Sequence, residues 1–189
     1  IFHSRSRTKT VYFVYSGEVM LYNLTKHGNR KVIFILGKGR LLNQSIVSKK
    51  PNALFCEAAC PVQVIEIAEK QFLQLMEQSH ALTRSVLREY ERNLWRMGHQ
   101  LKNTTGNMQM ERKIAAKLWK LGRDFGVDTE DGVMIDIDLT ITLMADLVGA
   151  PRENVSRACK VLTDRGLICY GNKRFILIDF DGLAKFYKM

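Results

Sequence analysis

The sequence predicts an α+β protein: an antiparallel β-roll of jelly-roll type, then a long helix, then a C-terminal winged helix-turn-helix. Three observations support this fold class. Short β-branched runs alternate with glycine turns early in the chain, a long helix with a narrow apolar stripe follows, and two short helices precede a β-hairpin near the end. We expect the roll to cover residues 1–80, the long helix and a hinge 81–105, and the winged helix-turn-helix 106–189.

The expected roll consists of five short strands. The first, Val11–Tyr15, is rich in β-branched and aromatic residues and ends at the turn Ser16-Gly17. The others are expected at Val19–Leu24, Arg30–Leu36, 53–59 and 62–68, and a short helix at 69–78. Even spacing of short strands is typical of an antiparallel roll.

Residues 80–105 show the clearest periodicity in the chain. Apolar or small residues recur at alternating intervals of three and four, at Leu87, Tyr90, Leu94, Met97, Leu101, Thr104 and Met108. A repeat of 3.5 residues is the pattern of a seam between two helices. We therefore predict that this helix pairs with its copy in a second subunit. The alternative is a helix that packs only on its own domain. Asn103–Asn107 interrupts the helical propensity and is predicted to be a hinge.

Beyond the hinge, the sequence predicts an amphipathic helix over 109–123 and an acidic loop over Asp124–Asp131. An alternating strand is expected over 133–138.

Residues 139–168 carry the strongest functional signal. Thr140 can cap a short helix that ends at Val148, Gly149 permits a tight turn, and Pro151 suits the first turn of a second helix. Val155, Cys159 and Leu162 give this second helix an inward face. Its outward face carries Arg152, Glu153, Asn154, Ser156, Arg157 and Lys160. Arginine can bond guanine bidentately and glutamate can accept from cytosine, so this set suits the major groove of DNA.

Two strands after Gly166, Leu167–Tyr170 and Phe175–Asp179, form a predicted hairpin wing. Lys173 and Arg174 lie at its tip, where they could contact phosphates.

The net charge is +10, yet residues 1–105 hold 16 basic and 7 acidic residues, and 106–189 hold 13 basic and 12 acidic residues. Within 149–174, six basic residues face two acidic ones, so the predicted reading surface is still positive. The predicted DNA-binding residues are Thr140, the outward-facing residues of the second helix, and Lys173 and Arg174 of the wing.

The segment GAPRENVSRACKVLTDRGLI resembles the recognition segment of the CRP/FNR family of bacterial transcription regulators, named for the catabolite activator and the fumarate-nitrate regulator. The order of roll, long helix, hinge and winged helix also resembles that family. The resemblance covers essentially the whole chain and implies that residues preceding Ile1 are absent. It implies base reading by Arg152, Glu153, Ser156 and Arg157 on an inverted repeat whose half-sites contain a GA-type step. It also implies that the acidic loop 124–132 could touch RNA polymerase.

The resemblance further implies a sensor in the roll, but this chain departs from the cyclic-nucleotide pattern. Cyclic-nucleotide binders carry a Gly-Glu pair and an Arg-Ser pair, whereas the matching positions here hold Asn43-Gln44 and Asn52-Ala53. A cyclic phosphate would lose a charge-assisted partner, so we expect an effector other than cyclic AMP. The cofactor stays unknown. Cys56 and Cys60 lie four apart on an expected strand, too far to share a small iron–sulfur cluster, and the four histidines are too scattered for a haem or metal site.

A small organic effector, held between the roll and the long helix, is the remaining hypothesis. The basic excess of the first half would favour an anion. The candidate binding residues are Tyr12, Tyr22, Asn43, Gln44 and Tyr90, and each aromatic among them could instead be a core residue.

Two other classes of protein share parts of this predicted architecture. A jelly-roll enzyme would converge histidines and a carboxylate, and the sequence has no such cluster. An effector-independent dimeric DNA-binding protein would share the winged helix and the seam, and it remains the alternative. Four cysteines without CxxC spacing and the lack of a long apolar run predict a cytoplasmic protein that does not enter the membrane.

Overall fold

The computed structural model describes residues 1–48, 50–105 and 108–188, with only the backbone of 102–105. The chain forms two compact units, Ile1–Lys102 and Asn103–Met189, which we call the roll unit and the winged-helix unit. Among the described residues, no helix combines the length and the apolar composition that crossing a membrane requires.

The roll unit holds five strands and then two helices. They are β1 (Thr10–Ser16), β2 (Val19–Leu24), β3 (Arg30–Leu36), β4 (Phe55–Ala58), β5 (Gln63–Ala68), α1 (Glu69–Gln78) and α2 (His80–Thr105). Strand β1 pairs antiparallel with β5, and a second antiparallel sheet has the order β3-β2-β4. Residues from both sheets, among them Val14, Leu21 and Leu36, share one buried core. A second cluster joins β1 to the helices through Val11, Phe72 and Val86.

The β1–β2 turn shows why a glycine is needed there. Gly17 has φ +79°, and a Cβ at this position would collide with the Pro61 carbonyl oxygen. The turn therefore depends on both the left-handed backbone and the missing side chain.

The winged-helix unit contains α3 (Met110–Phe125), β6 (Gly126–Thr129), β7 (Gly132–Ile135), α4 (Ile141–Val148), α5 (Arg152–Asp164), β8 (Ile168–Gly171), β9 (Arg174–Leu177) and α6 (Phe180–Lys188). Its antiparallel sheet has the strand order β6-β7-β9-β8. Helix α3 is amphipathic and buries Ile114, Leu118 and Leu121, as its periodicity predicts. These observations confirm the predicted fold class of a β-roll followed by a winged helix-turn-helix.

Several boundaries differ from the sequence-based expectation. The acidic loop expected at Asp124–Asp131 contains strand β6, whose four residues are all exposed and so lack an alternating apolar signal. The strand expected over 133–138 ends at Ile135. Cys60 lies in the turn after β4 rather than on the strand. Helix α6 was not predicted and is anchored by the buried Leu183. The hinge expected at 103–107 does not begin at residue 103, because α2 continues to Thr105, and residues 106 and 107 lie outside the described ones.

Candidate nucleic-acid interface

The turn between α4 and α5 is fixed by local hydrogen bonds. The Thr140 side-chain oxygen caps α4 by accepting from the Leu143 N–H at 3.0 Å. Gly149 closes α4 with φ +72°, and its N–H donates to the Ala145 carbonyl at 2.7 Å. Pro151 stands at the N-cap of α5 rather than inside its first turn. Because a hydroxyl can donate as well as accept, capping leaves Thr140 able to donate to a phosphate.

Helix α5 separates an apolar inner face from a polar outer face. Val155, Ala158, Cys159 and Leu162 are buried against the winged-helix core. The predicted reading residues Arg152, Glu153, Ser156, Arg157 and Lys160 are exposed, and Asn154 is half-buried. The structure therefore brings together on one helix face the residues that were predicted to read bases.

One hydrogen bond orders the outer face of α5. The Asn154 side-chain oxygen accepts from a guanidinium nitrogen of Arg157 at 2.6 Å, one helical turn away. This contact restrains the flexible arginine before any ligand arrives, which reduces the entropy it would lose on binding.

The wing contains two cations that are already paired within the chain. Arg174 hydrogen-bonds Asp136, and its other terminal nitrogen lies 4.0 Å from Asp138. The Lys173 ammonium lies 3.9 Å from Asp138. Sequence reasoning assigned both carboxylates to a strand and missed these pairs. The alternation Asp136-Ile137-Asp138, with Ile137 buried, was the available signal, because it places both carboxylates on one face.

Helix α2 carries an exposed apolar stripe. Leu87, Leu94 and Leu101 are spaced by seven residues, and their exposed fractions are 56%, 72% and 63%. Trp95 and Met97 beside them are also largely exposed. Of the other predicted seam residues, Tyr90 is half-buried, Met108 lies beyond the end of α2, and the side chain of Thr104 is outside the described part.

The opposite side of α2 packs on the roll through polar contacts. Arg40 Nε donates to Glu89 Oε1 at 2.6 Å, and Gln100 Nε2 donates to the Ile33 carbonyl at 2.8 Å. Arg96 is only 5% exposed, and its guanidinium lies over the Phe34 ring. Glu89 and Arg96 lie outside the apolar repeat of the sequence, where no local signal distinguishes them from solvated charges.

The predicted effector residues are partly brought together, but by bonds within the chain. Asn43 accepts from the Tyr12 N–H at 2.7 Å and donates to the Thr10 carbonyl at 2.9 Å. The Tyr90 hydroxyl lies 3.4 Å from the Asn43 carbonyl oxygen, and burial raises the pKa of Tyr90 to about 12. Tyr22 lies elsewhere, stacked on Phe55 with Arg30 over its ring.

The positions matched to cyclic-nucleotide binders do not fit a cyclic phosphate. Gln44 Oε1 accepts from the N–H groups of Ala53 and Leu54, at 2.9 and 3.0 Å. These two N–H groups are therefore already bonded to the protein. Asn52 is buried and neutral, and its N–H donates to the Ser6 carbonyl. An anion here would have to displace Gln44 without gaining a guanidinium at position 52.

The cysteines are single thiols. Burial raises the pKa of Cys56 to about 12 and that of Cys159 to about 11, so both stay protonated near neutral pH. Cys60 donates to Glu18 Oε2 at 2.9 Å. Within the described ranges, no three His, Cys, Asp or Glu side chains are arranged to hold a metal ion.

Comparison with known proteins agrees with this architecture. A family model described as a cyclic nucleotide-binding domain matches residues 1–79, and one described as a Crp-like helix-turn-helix domain matches 112–186. The chain is 25% identical to the cAMP-activated global transcriptional regulator CRP of Haemophilus influenzae, over 94% of this chain and 79% of that protein. It is 24% identical to the global nitrogen regulator of a Nostoc species, over 92% and 79% of the two chains.

The fold is also found among solved structures. FixK2 of Bradyrhizobium japonicum superimposes with a TM-score of 0.85 at 19% identity, covering 98% of this chain and 90% of that one. The two family models together cover most of both units, and both relatives, which match more than nine-tenths of the chain, are named as regulators rather than enzymes. The chain thus belongs to the CRP/FNR family of DNA-binding transcription regulators.

Proposed function

We propose that the protein binds an inverted-repeat operator as a homodimer, with one α5 helix in each of two successive major grooves. The observation that carries the proposal is the pair of contrasting exposed helix faces, apolar on α2 and charged on α5. The leucine stripe of α2 would pair with its copy, since an exposed apolar row at heptad spacing favours a helical partner. Two recognition helices would then require half-sites roughly 34 Å apart.

The proposed reading residues are Arg152, Glu153, Ser156 and Arg157, supported by Asn154 and Lys160. All of these side chains except Lys160 project from the N-terminal half of α5, which is the part of a recognition helix that reaches base edges. Thr140, Lys173 and Arg174 would contact phosphates and so set the register of the protein on the duplex.

We propose that the controlling effector, if one acts, is a small organic anion other than cyclic AMP. The Haemophilus relative is cAMP-activated by name. Support for a different effector here comes from Gln44, which occupies the N–H groups of Ala53 and Leu54, and from the neutral Asn52.

The same hydrogen bonds favour a second candidate function, an effector-independent dimeric DNA-binding protein. Asn43 and Gln44 together bond five partners inside the roll, so these segments are held by the chain itself without a ligand. Dimerisation and operator binding would then not depend on a ligand.

We further propose that the acidic β6–β7 hairpin contacts RNA polymerase and that the protein acts as an activator in the cytoplasm. Asp128, Glu130 and Asp131 are all exposed on this hairpin, which leaves them accessible to a protein partner. Transcription in vitro with hairpin variants that keep DNA affinity would test this role.

Four measurements test the dimer and effector proposals. Selection of bound duplexes from a random pool should return an inverted repeat, and sedimentation should show two chains per duplex. Thermal denaturation with and without cyclic AMP should show no shift in Tm, and operator affinity should be unchanged. A single half-site bound by one chain would refute the dimer, and a cyclic AMP-dependent gain in affinity would refute the proposed effector class.

A further inference from the structure

The wing cations face carboxylates of their own chain. We propose that Asp136 and Asp138 compete with DNA phosphates for Lys173 and Arg174, which lowers affinity for all DNA and makes binding depend more on the base contacts of α5. This inference rests on the proposed phosphate role of the wing. Its basis is the three contacts that link Lys173 and Arg174 to the two carboxylates.

The carboxylates are held in place by the backbone. Both acids lie in the segment between β7 and α4, and the Leu139 N–H at its end donates to the Lys173 carbonyl at 2.7 Å. Ile137 between the two acids is buried. The segment is thus fixed to the wing tip, and the carboxylates cannot move away from the cations by loop motion alone.

The conformation of Lys173 gives a second, independent observation. Asn172 and Lys173 have φ values of +49° and +60° at the tip between β8 and β9. Two residues with positive φ in a two-residue hairpin loop favour Asn followed by Gly, so a lysine in the second place is disfavoured. We take the presence of an exposed lysine in a backbone conformation that suits glycine as support for a role of its charge in contacting DNA.

The pairs are exposed enough to exchange with an external anion. The side chains of Lys173 and Asp138 are 64% and 60% exposed, and Asp136 is 53% exposed. Water and salt screen such pairs, so a phosphate can replace a carboxylate as the partner of the same cation. On binding, however, the two carboxylates remain next to the phosphates and repel them.

The salt dependence of binding reports this competition. The logarithm of affinity falls with the logarithm of salt concentration by about 0.9 for each DNA phosphate that a protein cation neutralises. A carboxylate that stays beside the phosphate contact offsets part of the cation's charge, so fewer counter-ions leave the DNA and the contribution to this slope is smaller. Neutral amides in place of Asp136 and Asp138 should restore the full contribution of Lys173 and Arg174.

The test uses the full chain with Asp136→Asn and Asp138→Asn, and fluorescence anisotropy on a mixed-sequence duplex over a range of KCl. We expect several-fold tighter binding at low salt, a slope steeper by about 1–2 per bound chain, and a smaller ratio of operator to mixed-sequence affinity. Glu66→Gln with Glu77→Gln changes the net charge equally at exposed positions of the roll unit and should leave the slope unchanged. An equal response of both double variants would overturn the proposal, since it would reflect net charge alone.

Two further variants separate this inference from the proposed function. Lys173→Ala with Arg174→Ala should reduce the slope. If that slope is unchanged, the wing does not contact DNA, and the inference fails while base reading by α5 can still stand. If the slope falls but Asp136→Asn with Asp138→Asn has no effect, the wing contacts DNA as proposed, and the proposed competition between carboxylates and phosphates is wrong. Asp138→Asn alone removes only the longer contacts, of 3.9 and 4.0 Å, and so repeats the test should the double variant fold poorly.

Discussion

Helices α2 and α5 are both amphipathic, and both leave one face exposed, but the two exposed faces differ in chemistry. The exposed face of α2 is a row of leucines at heptad spacing, flanked by Trp95 and Met97. The exposed face of α5 is charged and polar from Arg152 to Lys160, where it includes Glu153 and Arg157. An exposed leucine row has no favourable interaction with a phosphate backbone, and a charged face is costly to bury against protein.

The two helices also differ in what their packed sides contribute. The buried residues of α5 are all apolar, whereas α2 adds polar contacts through Glu89, Arg96 and Gln100 to the apolar packing of Val86 on the roll. Polar contacts of this kind depend on geometry, because a buried charge without its partner is strongly destabilising. The exposed face of each helix therefore indicates what the helix binds, an apolar helix for α2 and DNA for α5. The buried side of each helix indicates how firmly the exposed face is held in place.

The largest expected effect is on α2. Leu94→Glu should convert the protein to a monomer and weaken operator binding by at least about a hundredfold, because burying two copies of a leucine contributes about 3–6 kcal/mol to a symmetric dimer. Light scattering after size exclusion checks the mass. Ser85→Glu places the same charge at an exposed position of α2 outside the leucine stripe and should stay dimeric. If the Leu94→Glu protein is still a dimer with full DNA affinity, α2 does not form the dimer interface.

On α5, Arg157→Ala should cost roughly 1–3 kcal/mol of operator binding and relax sequence preference at one position of each half-site. Competition binding against single-base operator variants measures both quantities. Lys185→Ala removes the same charge from an exposed position of α6 and should change neither operator affinity nor sequence preference. A loss that is equal on all sequences would mean that Arg157 contacts only the DNA backbone.

A smaller effect is expected for Asn154→Ala. Loss of its hydrogen bond to Arg157 should weaken operator binding by about 0.5–1.5 kcal/mol, because the arginine must then be ordered on binding. A double-mutant cycle tests the mechanism: in the Arg157→Ala background, Asn154→Ala should have no further effect. Additive losses would instead indicate that Asn154 contacts DNA directly.

The smallest expected effect concerns Tyr90, which the heptad pattern assigns to the seam and whose hydroxyl lies near Asn43 of the same chain. Tyr90→Phe should lower the free energy of unfolding by about 0.5–1 kcal/mol and the Tm by a few degrees, with the dimer unchanged. Tyr15→Phe makes the same change at an exposed position on β1 and should not alter Tm. A weakened dimer at unchanged Tm would assign the hydroxyl to the subunit interface.

The wing shows the limit of sequence reasoning for the site. Lys173 and Arg174 can be identified as basic residues of a hairpin tip from the turn Gly171–Arg174 alone. Their pairing with Asp136 and Asp138 joins two segments more than thirty residues apart, so no local pattern contains it. The roles of the predicted DNA-binding residues in contacting DNA remain predictions.

The sequence by itself determined the β-roll, the long helix, the winged helix-turn-helix and the outward face of α5. These features depend on periodicity, capping and turn residues, all of which act within a few positions along the chain. Only the tertiary structure decided that Arg96 and Glu89 face the roll, that Gln44 bonds Ala53 and Leu54, and that the wing cations meet two carboxylates. A charged or amide side chain gives the same local signal whether it is solvated or paired, because the partner is supplied by a distant segment that only folding brings near.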